Sequence, residues 1–138
     1  MKTSQVFSRI DSVVLRVHHR EAAVDWYRAR LGFRILCEDA AAGVTVLDMG
    51  RGDTLTLWQL RGNEIAVIRN MSGTFPVFEA TDAVAQRAEL IARGVEASQV
   101  REVSRLKSFS FWDLDGNRLE ACEVVGLDET ANRHRRRR

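Results

Sequence analysis

The feature that most constrains the fold of this chain is a weak internal repeat. The segment GDTLTLWQL at 52–60 resembles GNRLEACEV at 116–124, at an offset of 64 residues. A second pair of segments, 15–33 and 78–95, aligns at an offset of 62 to 63 residues. Similarity at a fixed offset indicates a duplicated structural unit. Because the two copies account for almost the whole chain, we expect one small module to occur twice.

The first copy has the pattern of a βαβββ module. Apolar and polar residues alternate over 10–17, which predicts a half-buried strand with Ser12, Val14 and Arg16 on one face. Helical spacing of apolar residues predicts a helix over 20–31, and Gly32 follows it in the usual place of a left-handed cap. Three short strands are predicted at about 34–38, 44–49 and 54–60.

The second copy repeats this order after a linker at 61–72, which contains a short extended piece at 65–68. A strand is predicted over 75–80, with Pro76 at its start or edge. Thr81 or Asp82 is the expected N-cap of a helix that ends at Gly94. The apolar stripe of this helix is formed by Val84, Ala88 and Ile91. One more extended piece is predicted over 95–103.

The segment 109–123 predicts a closing β-hairpin. Aromatic and small polar residues alternate before Asp115-Gly116, a dipeptide typical of tight turns, and apolar and charged residues alternate after it. Alternation places Leu119 and Ala121 on one face of the outgoing strand, and Glu120 and Cys122 on the other. The predicted fold class is therefore α+β, with two tandem βαβββ modules that form a curved mixed sheet with an open groove.

The composition is that of one globular domain. With 138 residues, 45% of them hydrophobic and 29% charged, we expect a single domain over 1–128, with modules at about 9–60 and 73–125. No run of eighteen apolar residues and no apolar N-terminal stretch occurs, so neither a membrane span nor a signal peptide is expected. Cys37 and Cys122 stand without a CxxC motif, which favours free thiols and a cytoplasmic location.

The positive charge is concentrated at the C-terminus. The formal net charge is +2, but five arginines lie within the last six residues; removing them from the 21 basic residues leaves 16 against 19 acidic ones. The body is thus mildly acidic, with a net charge of −3. Like charges repel, so 129–138 is predicted to be a disordered basic tail. Beyond non-specific contact by this tail, no nucleic-acid binding is expected.

Residues 9–125 resemble the vicinal oxygen chelate superfamily, which contains glyoxalase I, the bleomycin resistance proteins and extradiol dioxygenases. The resemblance is carried by VVLRV at 13–17, AAVDWY at 22–27 running into LGF at 31–33, the segment 83–94, and FWDLDGN at 111–117 leading to Leu119-Glu120. It implies a groove on the sheet and a homodimer. It does not fix the function, because this superfamily hosts several unrelated chemistries.

Metal-dependent members of that superfamily place a His or Glu on the first strand of each module and a Glu on the last strand. In this chain the four matching positions carry Ser12, Thr56, Phe75 and Glu120, so only one carboxylate remains. A divalent ion needs three or four N, O or S ligands. We therefore expect no bound metal, no cofactor and no Lewis-acid chemistry. His18 and His19 lie beyond the strand and are expected to make turn contacts.

The sequence leaves two classes of function open. The first is a metal-free binding protein that holds a planar or anionic small molecule; the second is an enzyme, with or without a metal, that acts as a lyase, isomerase or dioxygenase on a small oxygenated metabolite. The loss of three ligand positions favours the first. In the alternative without a ligand role, Arg16 and Glu120 form internal ion pairs, and Glu79 or Glu120 is the expected partner of Arg16. The candidate ligand-binding residues are Ser12, Arg16, Thr56, Trp58, Phe75 and Glu120.

Overall fold

The structure is a computed structural model that describes residues 3–65 and 73–126. It divides into two compact units, Met1–Ile68 and Arg69–Arg138, which correspond to the two predicted modules. Within the described residues, each unit has its own mixed sheet and one helix. The predicted α+β class is confirmed.

The first module follows the predicted βαβββ order. Its sheet has the strand order β1-β4-β3-β2, in which β1 and β4 are parallel and the other neighbours are antiparallel. The helix has the predicted bounds, and Gly32 ends it with a φ of 74° while its N–H donates to the carbonyl of Arg28. The elements are β1 (Val13–Val17), α1 (Arg20–Leu31), β2 (Arg34–Asp39), β3 (Val44–Gly50) and β4 (Asp53–Gln59).

The core of this module lies between α1 and one face of the sheet. The helix contacts β3 and β4. Apolar side chains at every second strand position are buried on this side of the sheet, as strand alternation predicts. The buried residues are Leu15, Val17, Ala23, Val24, Tyr27, Leu47, Leu55 and Leu57. The predicted strand start at residue 10 is wrong: β1 begins at Val13, the first residue paired with β4, and Ile10 is exposed. The opposite face of the sheet is left for polar and half-exposed side chains.

The second module contains one strand more than predicted. Its elements are β5 (Val77–Glu79), α2 (Ala83–Ala92), β6 (Glu96–Ala97), β7 (Arg101–Val103), β8 (Leu106–Trp112) and β9 (Arg118–Val124). The sheet order is β5-β9-β8-β6, with β7 also paired to β8, and β5 runs parallel to β9. The single extended piece predicted over 95–103 is thus two strands. Ser98 lies between them, and its hydroxyl accepts a hydrogen bond from the backbone N–H of Ser110.

Strand β5 is shorter than the predicted 75–80. It begins directly after Pro76, which has no N–H to donate to a ladder but whose carbonyl accepts from the N–H of Glu120. The prediction that this proline lies at a strand start is confirmed. Phe75, predicted to lie on the strand, precedes it.

Helix α2 forms as predicted but presents a different side to the sheet. Asp82 is the N-cap, and its carboxylate accepts from the N–H of Ala85. The predicted stripe of Val84, Ala88 and Ile91 is exposed, whereas Ala83 is fully buried. The helix is instead turned so that Arg87 donates from Nε to the carbonyl of Ser98. Arg87, a charged residue with an aliphatic stem, therefore lies on the side of α2 where hydrophobicity alone predicts no contact.

The closing hairpin forms between β8 and β9, but its turn is longer than the predicted Asp-Gly turn. Trp112 pairs with Arg118, so five residues make the connection. The buried carboxylate of Asp113 organises them by accepting from the N–H groups of Asp115 and Asn117 and from the side-chain amide of Asn117. Leu119 and Ala121 are buried and Glu120 and Cys122 face the other way, as predicted.

Two predicted segments lie outside the described residues. These are the basic tail at 129–138 and the part of the linker at 66–72, including most of the extended piece expected at 65–68. Within residues 3–65 and 73–126, no helix has both the length and the apolar character needed to cross a membrane.

Candidate functional site

The open face of the first sheet is the side of β1 and β4 that α1 does not cover. Parallel pairing sets Val14 beside Thr56 and Arg16 beside Trp58. Just before β1, the hydroxyl of Ser12 lies 2.7 Å from that of Thr56, and the two share a hydrogen bond. Four of the predicted site residues, Ser12, Arg16, Thr56 and Trp58, therefore form two neighbouring pairs on this face.

Arg16 is held in place by β4. Its guanidinium carbon lies 4.5 Å from the ring centroid of Trp58, a cation–π distance. Its Nε donates to the carbonyl of Trp58 at 3.3 Å, and one terminal nitrogen donates to the carbonyl of Gln59 at 3.3 Å. The Arg16 side chain thus has a fixed position, and its two terminal nitrogens, called the outer prongs below, are available to a further acceptor.

Those outer prongs bind Glu64, a residue that follows β4. The two terminal nitrogens of Arg16 donate to the two carboxylate oxygens of Glu64 at 2.8 and 2.7 Å, a two-pronged pair. The backbone N–H of Arg61 adds a third bond to the same carboxylate at 2.8 Å. These bonds, that of Arg16 first, hold the pKa of the Glu64 carboxyl below its ordinary value. Glu64 is therefore ionised at neutral pH.

The open face of the second sheet carries the other two predicted site residues. Val77 pairs with Glu120 in the parallel register of β5 and β9. The guanidinium carbon of Arg118 lies 4.1 Å from the ring centroid of Phe75, and a terminal nitrogen of Arg118 donates to Glu120 at 3.2 Å. Only 12% of the Arg118 side chain and 17% of the Glu120 side chain are exposed. Glu120 is thus a largely buried carboxylate with a cation beside it.

Two of these contacts were not foreseen from the sequence. Arg16 has a partner other than the predicted Glu79 or Glu120, because Glu64 reaches it from the aperiodic segment after β4. Glu120 pairs with Arg118, two residues before it on the same strand face. Strand alternation places Arg118 and Glu120 side by side, so that pair was within reach of sequence reasoning; the position of Glu64 was not.

The donor set at the four superfamily positions does not suit a metal ion. Ser12 and Thr56 are hydrogen-bonded to each other, Phe75 offers a hydrocarbon ring, and Glu120 is already neutralised by Arg118. Among residues 3–65 and 73–126, no group of three His, Cys, Asp or Glu side chains is arranged to hold an ion. The residues present therefore do not fit the metal that the superfamily implies.

His19 and the two cysteines were also considered from the sequence. His19 is the N-cap residue of α1, and its carbonyl accepts from the N–H of Ala23. Cys37 and Cys122 are both free thiols, the first exposed and the second half-buried. Their free state agrees with the prediction from sequence.

The chain is therefore an α+β protein built from two related modules, of which the first is a βαβββ unit, and each module has a sheet with an open polar face. A family model confirms this at the level of sequence. The Glyoxalase/Bleomycin resistance protein/Dioxygenase superfamily matches residues 9–121, so the chain belongs to that superfamily.

Solved structures agree on the fold. A protein assigned to the glyoxalase family from Bacillus anthracis has a TM-score of 0.75 at 18% identity, with 88% of this chain and 99% of that chain covered. TnmS3, an antibiotic binding protein from a Streptomyces species, has a TM-score of 0.72 at 20% identity, with coverages of 88% and 100%. A lactoylglutathione lyase from Agrobacterium tumefaciens has a TM-score of 0.68 at 18% identity, with coverages of 86% and 96%.

At these identities the structural matches establish the fold alone. They include a binding protein and an enzyme, so they do not choose between the two classes of function. Among curated protein sequences, none matches this chain significantly.

Proposed function

We propose that this chain is a metal-free small-molecule-binding protein that holds a planar or anionic compound on the open faces of its sheets. The observation that carries the proposal is the state of Glu120. The one carboxylate at the four superfamily ligand positions is largely buried and paired with Arg118. A carboxylate in this state must break its ion pair before it binds a metal, and no imidazole or second carboxylate at the other three positions compensates for that cost.

The character of the ligand follows from the side chains on the open faces. Trp58 and Phe75 provide aromatic surface, and each is already stacked with a guanidinium group. Arginine on an aromatic ring is well suited to bind a flat molecule, and its fork binds carboxylate or phosphate groups with two hydrogen bonds. Ser12 and Thr56 add hydroxyl groups that both donate and accept. An aromatic compound with an anionic group suits the side chains of either face.

The similarity to an antibiotic binding protein is consistent with this class of function, whereas the similarity to a lactoylglutathione lyase represents the alternative. In that alternative the chain is an enzyme that acts as a lyase, isomerase or dioxygenase on a small oxygenated metabolite. Such an activity needs either a metal held by other ligands or acid–base groups within reach of the substrate. The metal content of the protein separates the proposed function from the metal-dependent form of this alternative.

Elemental analysis of protein purified without chelator is expected to find Mn, Fe, Co, Ni and Zn far below one ion per chain. Added singly, these ions are expected to leave the melting temperature unchanged, because an ion that does not bind the folded state cannot stabilise it. Glu120→Ala tests the position directly, and Glu102→Ala, at an exposed site on β7, is the matched control. A near-stoichiometric metal, or a metal-dependent rise in melting temperature that only Glu120→Ala removes, would contradict the proposal.

We further propose that the protein acts as a cytoplasmic homodimer, the assembly that the superfamily resemblance implies. Large apolar side chains in the first module support this, because Val6, Phe7, Ile10 and Leu36 are each more than half exposed. Sedimentation equilibrium is expected to give twice the chain mass of 15.6 kDa. A mass of one chain at micromolar concentration would rule the dimer out. Nucleic acid is not a proposed partner, apart from non-specific contact by the C-terminal arginines.

A further inference from the structure

The two-pronged contact between Arg16 and Glu64 has the geometry of a bound ligand. Both oxygens of one carboxylate lie 2.7 to 2.8 Å from the two terminal nitrogens of one guanidinium group. This is the arrangement in which arginine binds free carboxylates in protein sites. Glu64 reaches this position from outside the sheet, since it follows the last strand of the first module.

Arg16 does not need Glu64 to keep its position. The guanidinium is stacked on Trp58 and donates to two backbone carbonyls of β4, at Trp58 and Gln59. These contacts use Nε and one of the two terminal nitrogens that bind Glu64, so they fix the orientation of the guanidinium independently of Glu64. A pre-oriented fork binds an anion without the entropy cost of ordering a long side chain.

The pair is also accessible. About a third of each side chain is exposed, 32% for Arg16 and 33% for Glu64. Exposed ion pairs contribute little net free energy, because water and salt compete with them. An external anion is therefore able to displace Glu64 if other parts of the same molecule gain contacts with the protein.

Such contacts are available on the same face. Val14 is two residues from Arg16, about 7 Å along the strand, and is 48% exposed. The indole N–H of Trp58 is buried and has no hydrogen-bond partner within residues 3–65 and 73–126. A ring attached to a carboxylate can cover Val14 while the carboxylate lies in the fork, and the buried indole N–H is a reporter of changes around Trp58.

From this geometry we infer that Glu64 is an internal competitor that occupies the anion-binding fork of Arg16, and that the natural ligand is an aromatic carboxylate that displaces it. This inference deepens the proposed function and rests on it. It predicts that removal of the Glu64 charge strengthens the binding of aromatic anions and leaves the binding of neutral analogues unchanged.

The test is an NMR titration with naphthalene-2-carboxylate and its neutral analogue naphthalene-2-carboxamide, read from the indole N–H signal of Trp58. Glu64→Gln is expected to lower the Kd of the carboxylate about fivefold, the factor by which an exposed ion pair of ordinary strength competes. Glu89→Gln is the matched control, because it removes the same charge from an exposed ion pair with Arg93 on α2. That control is expected to leave the Kd of both compounds unchanged.

Arg16→Gln in the Glu64→Gln background is expected to remove the gain for the carboxylate. An unchanged Kd for the carboxylate in Glu64→Gln, an equal gain for the carboxamide, or no binding by the opened fork would each overturn the inference. The outcome is separate from that of the proposed function. If Glu64→Gln does not change the Kd of the carboxylate, metal-free binding elsewhere on the open faces is unaffected. If the protein instead needs a metal but Glu64→Gln still lowers this Kd, Glu64 remains an internal competitor and the proposed metal-free function is wrong.

Discussion

Replacing Phe109 with alanine is expected to lower the free energy of unfolding by about 3–5 kcal/mol. Phe109 lies on β8 with no exposed surface, and its ring centroid lies 5.8 Å from that of Phe111. The substitution removes a large apolar side chain from water-free surroundings and leaves a cavity that a rigid sheet cannot fill. Since domains are stable by only about 5–15 kcal/mol, this is a large fraction of the total.

Val103→Ala is the control for this prediction. It truncates an apolar side chain on β7 at a position that is 70% exposed, and it is expected to change the free energy of unfolding by no more than about 0.5 kcal/mol. Urea denaturation followed by tryptophan fluorescence measures both, with Trp112 reporting on the second module. Equal losses for the two variants would contradict the burial of Phe109.

The duplicated module and its inward faces could be predicted from the sequence because they depend on local periodicity. Alternation in β1 and β9 correctly separated buried Leu15 and Leu119 from outward-facing Arg16 and Glu120. The helix α1 was predicted to the residue because a glycine with positive φ ends it. These are short-range effects, which a single sequence contains in full.

The errors arose where a polar side chain overrides the local pattern. Asp113 gathers three hydrogen bonds and lengthens the hairpin turn, so the Asp-Gly pair does not make the turn alone. Arg87 on α2 donates to the carbonyl of Ser98, and the predicted apolar stripe of this helix lies outside. Each of these contacts has a geometry that depends on the folded chain, so hydrophobic periodicity does not contain it.

The candidate site was predictable in its residue types and not in its pairing. Ser12 and Thr56 were placed on one face, but their mutual hydrogen bond depends on the parallel register of β1 and β4. Glu64 was missed because it lies in a segment without periodicity, where sequence gives no direction to a side chain. The ion pair it forms with Arg16 is the contact that most changes the interpretation of the open face.

Replacing Trp58 with alanine is expected to weaken the binding of planar ligands about tenfold or more. The indole supports Arg16 through a cation–π contact and is itself an aromatic surface of the first sheet, so its removal affects both the apolar and the anionic part of the site. Trp58→Phe retains a ring and loses only the N–H, and it is expected to have a smaller effect. Trp26→Ala is the matched control, because Trp26 lies on α1 against Tyr27 and away from that face.

Binding of a small molecule to the open faces without a metal is tested by one calorimetric measurement. A panel of aromatic carboxylates, sulfonates and neutral polycyclic compounds is screened against protein dialysed with EDTA, and the Kd of each hit is measured with and without added Mn, Fe, Co, Ni and Zn. We expect a Kd that is raised by Trp58→Ala and unchanged both by metal and by Trp26→Ala. Binding that appears only with a metal and is unaffected by Trp58→Ala would contradict it.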